Sequence, residues 1–132
     1  MDRMVKADIA GEERLLNFSI EVMFDMDDRY GDLNGALTAL SDPGKKGFEA
    51  VRWFAVHMAN DAELYRREHG LEPLPLLEEK DISIRMAPLT FTEMKNAVIE
   101  AITAGYQKET SPSGEIDLGL EEIEAKKEKA GA

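Results

Sequence analysis

Residues Phe24 to Gly35 read FDMDDRYGDLNG. Four aspartates, an asparagine and two glycines in this space suit two structures: a cation-binding loop, or an acidic helix that ends on a glycine. An EF-hand loop needs oxygen ligands at positions 1, 3 and 5, glycine at 6 and glutamate at 12. Counted from Asp25, position 5 is Arg29, position 6 is Tyr30 and position 12 is Ala36. Counted from Asp28, position 3 is Tyr30, position 6 is Leu33 and position 12 is Ala39. Neither register supplies the ligands. At 100° per residue, Glu21, Asp25, Asp28 and Asp32 instead fall within about 60° of one another. Met23, Met26 and Tyr30 lie opposite, flanked by Ile20. The stretch therefore reads as the end of an amphipathic helix, capped by Ser19 and stopped by Gly31. Its stripe of Glu21, Asp25 and Asp28 is either a solvated face or a partner-binding surface, and these three residues are the candidate partner-binding set. Carboxylates one turn apart repel, so the stripe works against its own helix, with Arg29 offsetting part of the repulsion. Asp27 falls nearer the apolar arc, for no reason visible in the sequence.

Outward from this helix the pattern is clear. Val5, Ala7 and Ile9 alternate with Lys6 and Asp8, which predicts a strand over Met4–Ala10. Gly11-Glu12-Glu13 suits a turn, and Arg14–Phe18 a returning strand. Such a hairpin is marginal alone and has to pack on helices. After Gly31, Leu33–Leu40 suits a short helix, and Ser41-Asp42-Pro43-Gly44 breaks the chain. A long helix is expected from Lys46 to about His69, with a bend near Asn60-Asp61. Its apolar residues Phe48, Val51, Ala55, Met58 and Ala62 share one face. Trp53 and Val56 fall off that face, as in a central helix buried on several sides. Leu71–Pro75 is a stiff connector, because each proline fixes its own φ and restricts its neighbour. Glu78–Met86 suits a short helix or an irregular segment closed by Pro88. Thr90 or Thr92 then caps a last helix, Phe91–Tyr106, with Met94, Val98 and Ile102 in one stripe.

The fold class expected is thus α+β: a small, mostly helical domain with an N-terminal β-hairpin, over residues 1–108. Residues 109–132 form a charged tail without an aromatic residue. Lys and Glu dominate it, and Leu118–Lys129 suits a charged helix.

Composition narrows the function. The chain carries 27 acidic and 16 basic residues, for a net charge of -11, so a polyphosphate backbone is a poor partner. No stretch has the roughly 18 apolar residues of a membrane span. The chain lacks cysteine altogether, which removes disulfides and thiolate zinc sites and fits a reducing cytoplasm. No GxSxG, P-loop or dinucleotide fingerprint occurs. His57 follows Trp53 by four and suits ring packing, and His69-Gly70 suits a helix end. Gly44-Lys45-Lys46-Gly47 could touch a phosphate at a helix start, but lacks the rest of a P-loop. The expectation is a non-enzyme with no cofactor and no metal.

The order of elements carries a resemblance. The turn Ile9-Ala10-Gly11-Glu12-Glu13 with Leu16-Asn17-Phe18-Ser19 after it, the helix end Arg29-Tyr30-Gly31, and the run Val98–Gly105, VIEAITAG, resemble the tail assembly chaperones of long-tailed bacteriophages and prophages. The likeness spans roughly residues 4–108. It implies a cytoplasmic protein, absent from the mature virion, that binds the tape-measure protein and helps recruit tail-tube subunits. It leaves a homo-oligomer open, and it implies neither nucleic-acid nor membrane binding. Many such proteins are also made in a longer, frameshifted form, and Lys126-Lys127 fits a slippery codon pair. A second class of function suits the same charge: a small acidic regulatory or inhibitory module that masks a basic protein.

Overall fold

A computed structural model describes residues 4–107. The expected tail, its helix and Lys126-Lys127 lie outside the described residues.

Two strands, β1 (Val5–Ile9) and β2 (Glu12–Leu16), pair antiparallel, with Ile9 opposite Glu12 and Val5 opposite Leu16. The turn between them is Ala10-Gly11, one residue earlier than the sequence suggests. Both residues have positive φ, 54° and 88°, which matches the right-handed twist of a two-residue hairpin. Glu12 and Glu13 therefore join β2. Asn17 and Phe18 leave the strand, and the Asn17 N–H donates instead to the Met58 carbonyl at 3.1 Å. One face of the hairpin carries the buried Ala7, Ile9 and Leu16.

The opening stretch is helical. Helix α1 (Ile20–Tyr30) is capped by the Ser19 hydroxyl, which accepts from Val22 N–H, and stopped by Gly31 at φ 92°. Its apolar side is the buried Val22 and Met26 with Met23 and Tyr30 packed against the core, as expected, while Ile20 is exposed. Helix α2 (Leu33–Leu40) follows at once, because the Asp32 carboxylate accepts from Gly35 N–H and caps it. Tyr30 turns inward and stacks on Phe54 at 5.8 Å, so the end of α1 is anchored by packing as well as by its glycine.

Helix α3 (Lys45–Glu68) is the axis of the molecule and runs as one continuous helix through Asn60-Asp61. It is buried on several sides: Val51, Trp53, Phe54, Val56 and Met58 all lie in the core. β2, α2 and α1 pack around it, together with α4 (Glu79–Arg85) and α5 (Pro88–Gly105). β1 packs on α5. Pro88 does not close α4 but opens α5, where its missing N–H is harmless. The last helix thus starts three residues before the expected Phe91. Thr90 and Thr92 are not its caps; their hydroxyls bond back to the Ala87 and Pro88 carbonyls. Met94, Val98, Ala101 and Ile102 form its buried stripe.

The proline connector has no regular structure, so α3 supplies its hydrogen bonds. Asn60 pairs twice with Leu77: its amide donates to the Leu77 carbonyl at 3.0 Å and its oxygen accepts the Leu77 N–H at 2.7 Å. Glu63, only 2% exposed, accepts Leu74 N–H at 2.7 Å, Arg66 at 2.7 Å and Arg67 at 3.1 Å. The two arginines reach on to the Glu72 and Leu74 carbonyls. Burial raises the Glu63 carboxyl, but the Leu74 N–H, the Arg66 and Arg67 hydrogen bonds and the Arg66 charge outweigh it and hold its pKa below the ordinary range.

Candidate functional site

Between the start of α3 and the α4–α5 corner runs a groove of about 450 Å³. Its apolar lining includes Phe48, Val51, Ile82, Met86 and Phe91. The sequence places it there for three reasons. Pro88 begins α5 three residues after α4 ends at Arg85, so the two helices meet at a short corner while both pack on α3. Phe48 and Phe91 stack at 4.8 Å across the α3–α5 contact. Gly47, which lines the groove, carries no side chain, and a Cβ there would overlap the Asp42 carbonyl. The helices that form the groove also carry two exposed large apolar side chains outside its lining: Ile84 of α4, 76% exposed, and Leu89 of α5, 72% exposed. Apolar surface of this kind is what a soluble domain usually buries against something.

The charge around the groove is unlike the rest of the chain. Lys95 lines it, and Lys45 and Lys46 are exposed between the lining Gly44 and Gly47. These two lysines occupy the first turn of α3, which has no acidic residue and no side-chain cap. Cations there oppose the helix dipole. Asp42 offsets part of this by accepting Gly44 N–H at 2.7 Å. Gly44 is the N-cap residue of α3 and Lys45–Gly47 lie in its first turn, so the segment is a helix start without a side-chain cap rather than a capped turn.

The acidic stripe lies elsewhere. Glu21 and Asp28 are exposed and Asp25 is half-buried on α1. Glu21 and Asp25 border a shallow depression of about 180 Å³ with His57, Asp61 and Leu64 of α3; Asp28 is not among its lining residues. Asp61, distant in sequence, joins this acidic surface while accepting from the Asn17 amide at 2.7 Å. Only the packing of α1 on α3 brings it there, so no local signal reveals it. Asp27 faces the end of α5: Tyr106 has its hydroxyl pKa pushed up by burial and then by the Asp27 charge. Among the described residues no group of three or more His, Cys, Asp or Glu is arranged to hold a metal ion.

Both histidines are packed rings. His57 stacks on Trp53 at 4.0 Å and its Nδ1–H donates to the Trp53 carbonyl at 2.9 Å. His69 does the same with Tyr65, at 4.2 Å and 3.0 Å. No described helix is long and apolar enough to cross a membrane.

A second concavity, about 260 Å³, lies between the hairpin and α3 and is lined by Lys6, Arg14, Ala59, Glu63 and Arg66. Arg14 is 5% exposed, with Nη2 on Glu12 at 3.1 Å and, among the described residues, no partner for the buried Nε and Nη1. Its position on the inward face of β2 follows from the register that places it opposite Ala7.

No family model matches this sequence, and neither a curated protein nor a solved structure gives a match.

Proposed function

We propose that this chain is a non-catalytic tail assembly chaperone of the long-tailed phage type, which binds an apolar helical segment of a tape-measure protein and helps recruit tail-tube subunits around it. The observation that carries the reading is the groove between α3, α4 and α5, with Phe48 and Phe91 in its lining and Ile84 and Leu89 exposed on the helices that form it. An amphipathic helix seats its apolar stripe in a groove of this kind. The net charge of -11 keeps a complex with a sticky client soluble. The resemblance of the hairpin turn, the Arg29-Tyr30-Gly31 helix end and the close of α5 supplies the identity of the client. The protein then works in the cytoplasm of a host or lysogen and stays out of the mature virion. Co-expression with the tape-measure protein encoded beside it tests the reading: the client becomes soluble and co-purifies. A client equally insoluble with and without this chain ends it.

The second reading, an acidic module that masks a basic protein, is favoured by the convergence of Glu21, Asp25 and Asp61 beside one depression. Charge reversal at Glu21, Asp25 and Asp28 separates the two. It abolishes binding to a basic partner and leaves binding through the apolar groove nearly unchanged.

A further inference from the structure

We propose that the concavity between the hairpin and α3 binds a small monocarboxylate with a short aliphatic body, held by the guanidinium of Arg14. This site shares no lining residue with the α3–α4–α5 groove, and the inference does not rest on the chaperone reading. Three observations meet there.

The first is a buried cation with unused donors. Arg14 lines the cavity and is 5% exposed. Its Nη2 meets Glu12 at 3.1 Å, and among the described residues the buried Nε and Nη1 have no partner. Buried N–H donors without an acceptor are costly, and those of a charged group more so. A guanidinium has two forks that suit a carboxylate, one pairing Nη2 with Nε and one pairing Nη2 with Nη1. Glu12 uses Nη2 on one side only, so a complete fork remains. The long unbranched stem lets the guanidinium turn toward the ligand as it enters.

The second is charge. The lining carries the cations Lys6, Arg14 and Arg66 against the carboxylates Glu13 and Glu63. Glu63 is answered by Arg66 and by Arg67, which lies outside the lining, as does Glu12 on Arg14. Counting these two neighbours as well, one positive charge is in surplus. In a chain of net charge -11 this is a local reversal of sign, and it matches a singly charged anion better than a phosphate dianion.

The third is shape. Ala59, Ala62, Glu63 and Arg66 are spaced i, i+3, i+4 and i+7 and share the face of α3 that lines the cavity. The two alanines leave the space, and the half-buried Leu15 and Leu74 give it apolar walls. A volume of about 260 Å³ admits a small ligand only. A free branched-chain acid and the C-terminus of a peptide ending in leucine present the same chemistry, one carboxylate on a short apolar body.

The test uses the full chain, isotope-labelled, with the Arg14 Nε–H resonance read by NMR and identified by its loss in Arg14→Met. Isocaproate, N-acetyl-leucine, the neutral N-acetyl-leucinamide and inorganic phosphate are titrated in turn. The expected result is that the resonance shifts and saturates below about 10 mM with at least one of the two acids, and that the amide and phosphate leave it in place. Tighter binding of N-acetyl-leucine assigns the site to a chain terminus, and tighter binding of isocaproate to a free acid. The backbone amides of Ala59 and Ala62 respond in wild type and are silent in Arg14→Met. Arg14→Lys keeps the charge without the fork, and weakens binding at least about tenfold. No saturable shift with either acid overturns the proposal. So does an equal response to the neutral amide or to phosphate, or an Arg14→Met protein whose Ala59 and Ala62 amides still move.

Discussion

The ring of Phe48, in the first turn of α3, stacks on that of Phe91 of α5 with centroids 4.8 Å apart. This pair joins the two helices where the groove opens, so it both holds the groove's shape and offers it an aromatic floor. Phe91→Ala removes the stack from a half-buried site and destabilises the fold by about 2 kcal/mol. Urea unfolding of the two proteins measures the difference.

Glu63 predicts an acid-sensitive connector. Its folded pKa is below the ordinary 4.5. A depressed carboxylate contributes stability that is fully present above the unfolded value and is lost as pH falls through the folded one. Wild-type stability therefore declines as pH drops below 4.5. Glu63→Gln is less stable at neutral pH by about 2 kcal/mol, the scale of hydrogen bonds to a charged group. Its stability curve is flatter in the acid window. Denaturant melts across that pH range give both quantities, and parallel curves would remove Glu63 from the account.

Arg14 predicts the opposite sign. Among the described residues its buried guanidinium has two nitrogens without a partner, and its ion-pair partner Glu12 is half exposed. Arg14→Met keeps the apolar stem and removes the buried donors, so it stabilises the protein by about 1 kcal/mol. A fall in thermal midpoint would show that the guanidinium is satisfied in solution.

Gly105 packs against Phe18, joining the end of α5 to the exit of β2. A Cβ at position 105 would lie 2.8 Å from the Phe18 Cβ and 2.9 Å from its carbonyl oxygen. Gly105→Ala pushes α5 off the exit of β2 and destabilises by about 1–3 kcal/mol. The same change at the exposed Gly in the hairpin turn, Gly11→Ala, meets no neighbour but strains a φ of 88°, and should be felt less, at about 1 kcal/mol. Thermal melts rank the two.

Much of this fold was legible because its signals are local. Ser19 and Gly31 bound α1 by capping chemistry alone, and the alternation of Val5, Ala7 and Ile9 predicts β1. Boundaries failed where two local rules compete. Pro88 reads as a stop after α4, but its fixed φ and missing N–H suit the first residue of a helix just as well, and it opens α5. The turn at Ala10-Gly11 was missed because alanine rarely takes positive φ. The groove was not legible at all. Phe48, Ile82 and Phe91 lie on three helices, and nothing in their spacing says that they share a floor. Likewise Glu63 looks like one more helix charge until Leu74 folds back onto it.

The central claim is that the groove, and not the acidic stripe, receives an apolar client. Ile84 and Leu89 are exposed, so the double substitution Ile84→Asp, Leu89→Asp leaves the fold intact, as an unchanged thermal midpoint verifies. The decisive measurement is the soluble fraction of the tape-measure protein co-expressed with wild type, with this double variant, and with Glu21→Lys, Asp25→Lys, Asp28→Lys. The account predicts that wild type and the charge-reversed protein keep the client soluble while the double aspartate variant leaves it in the pellet. A double aspartate variant as effective as wild type, or a client that only the charge-reversed protein fails to hold, would contradict it.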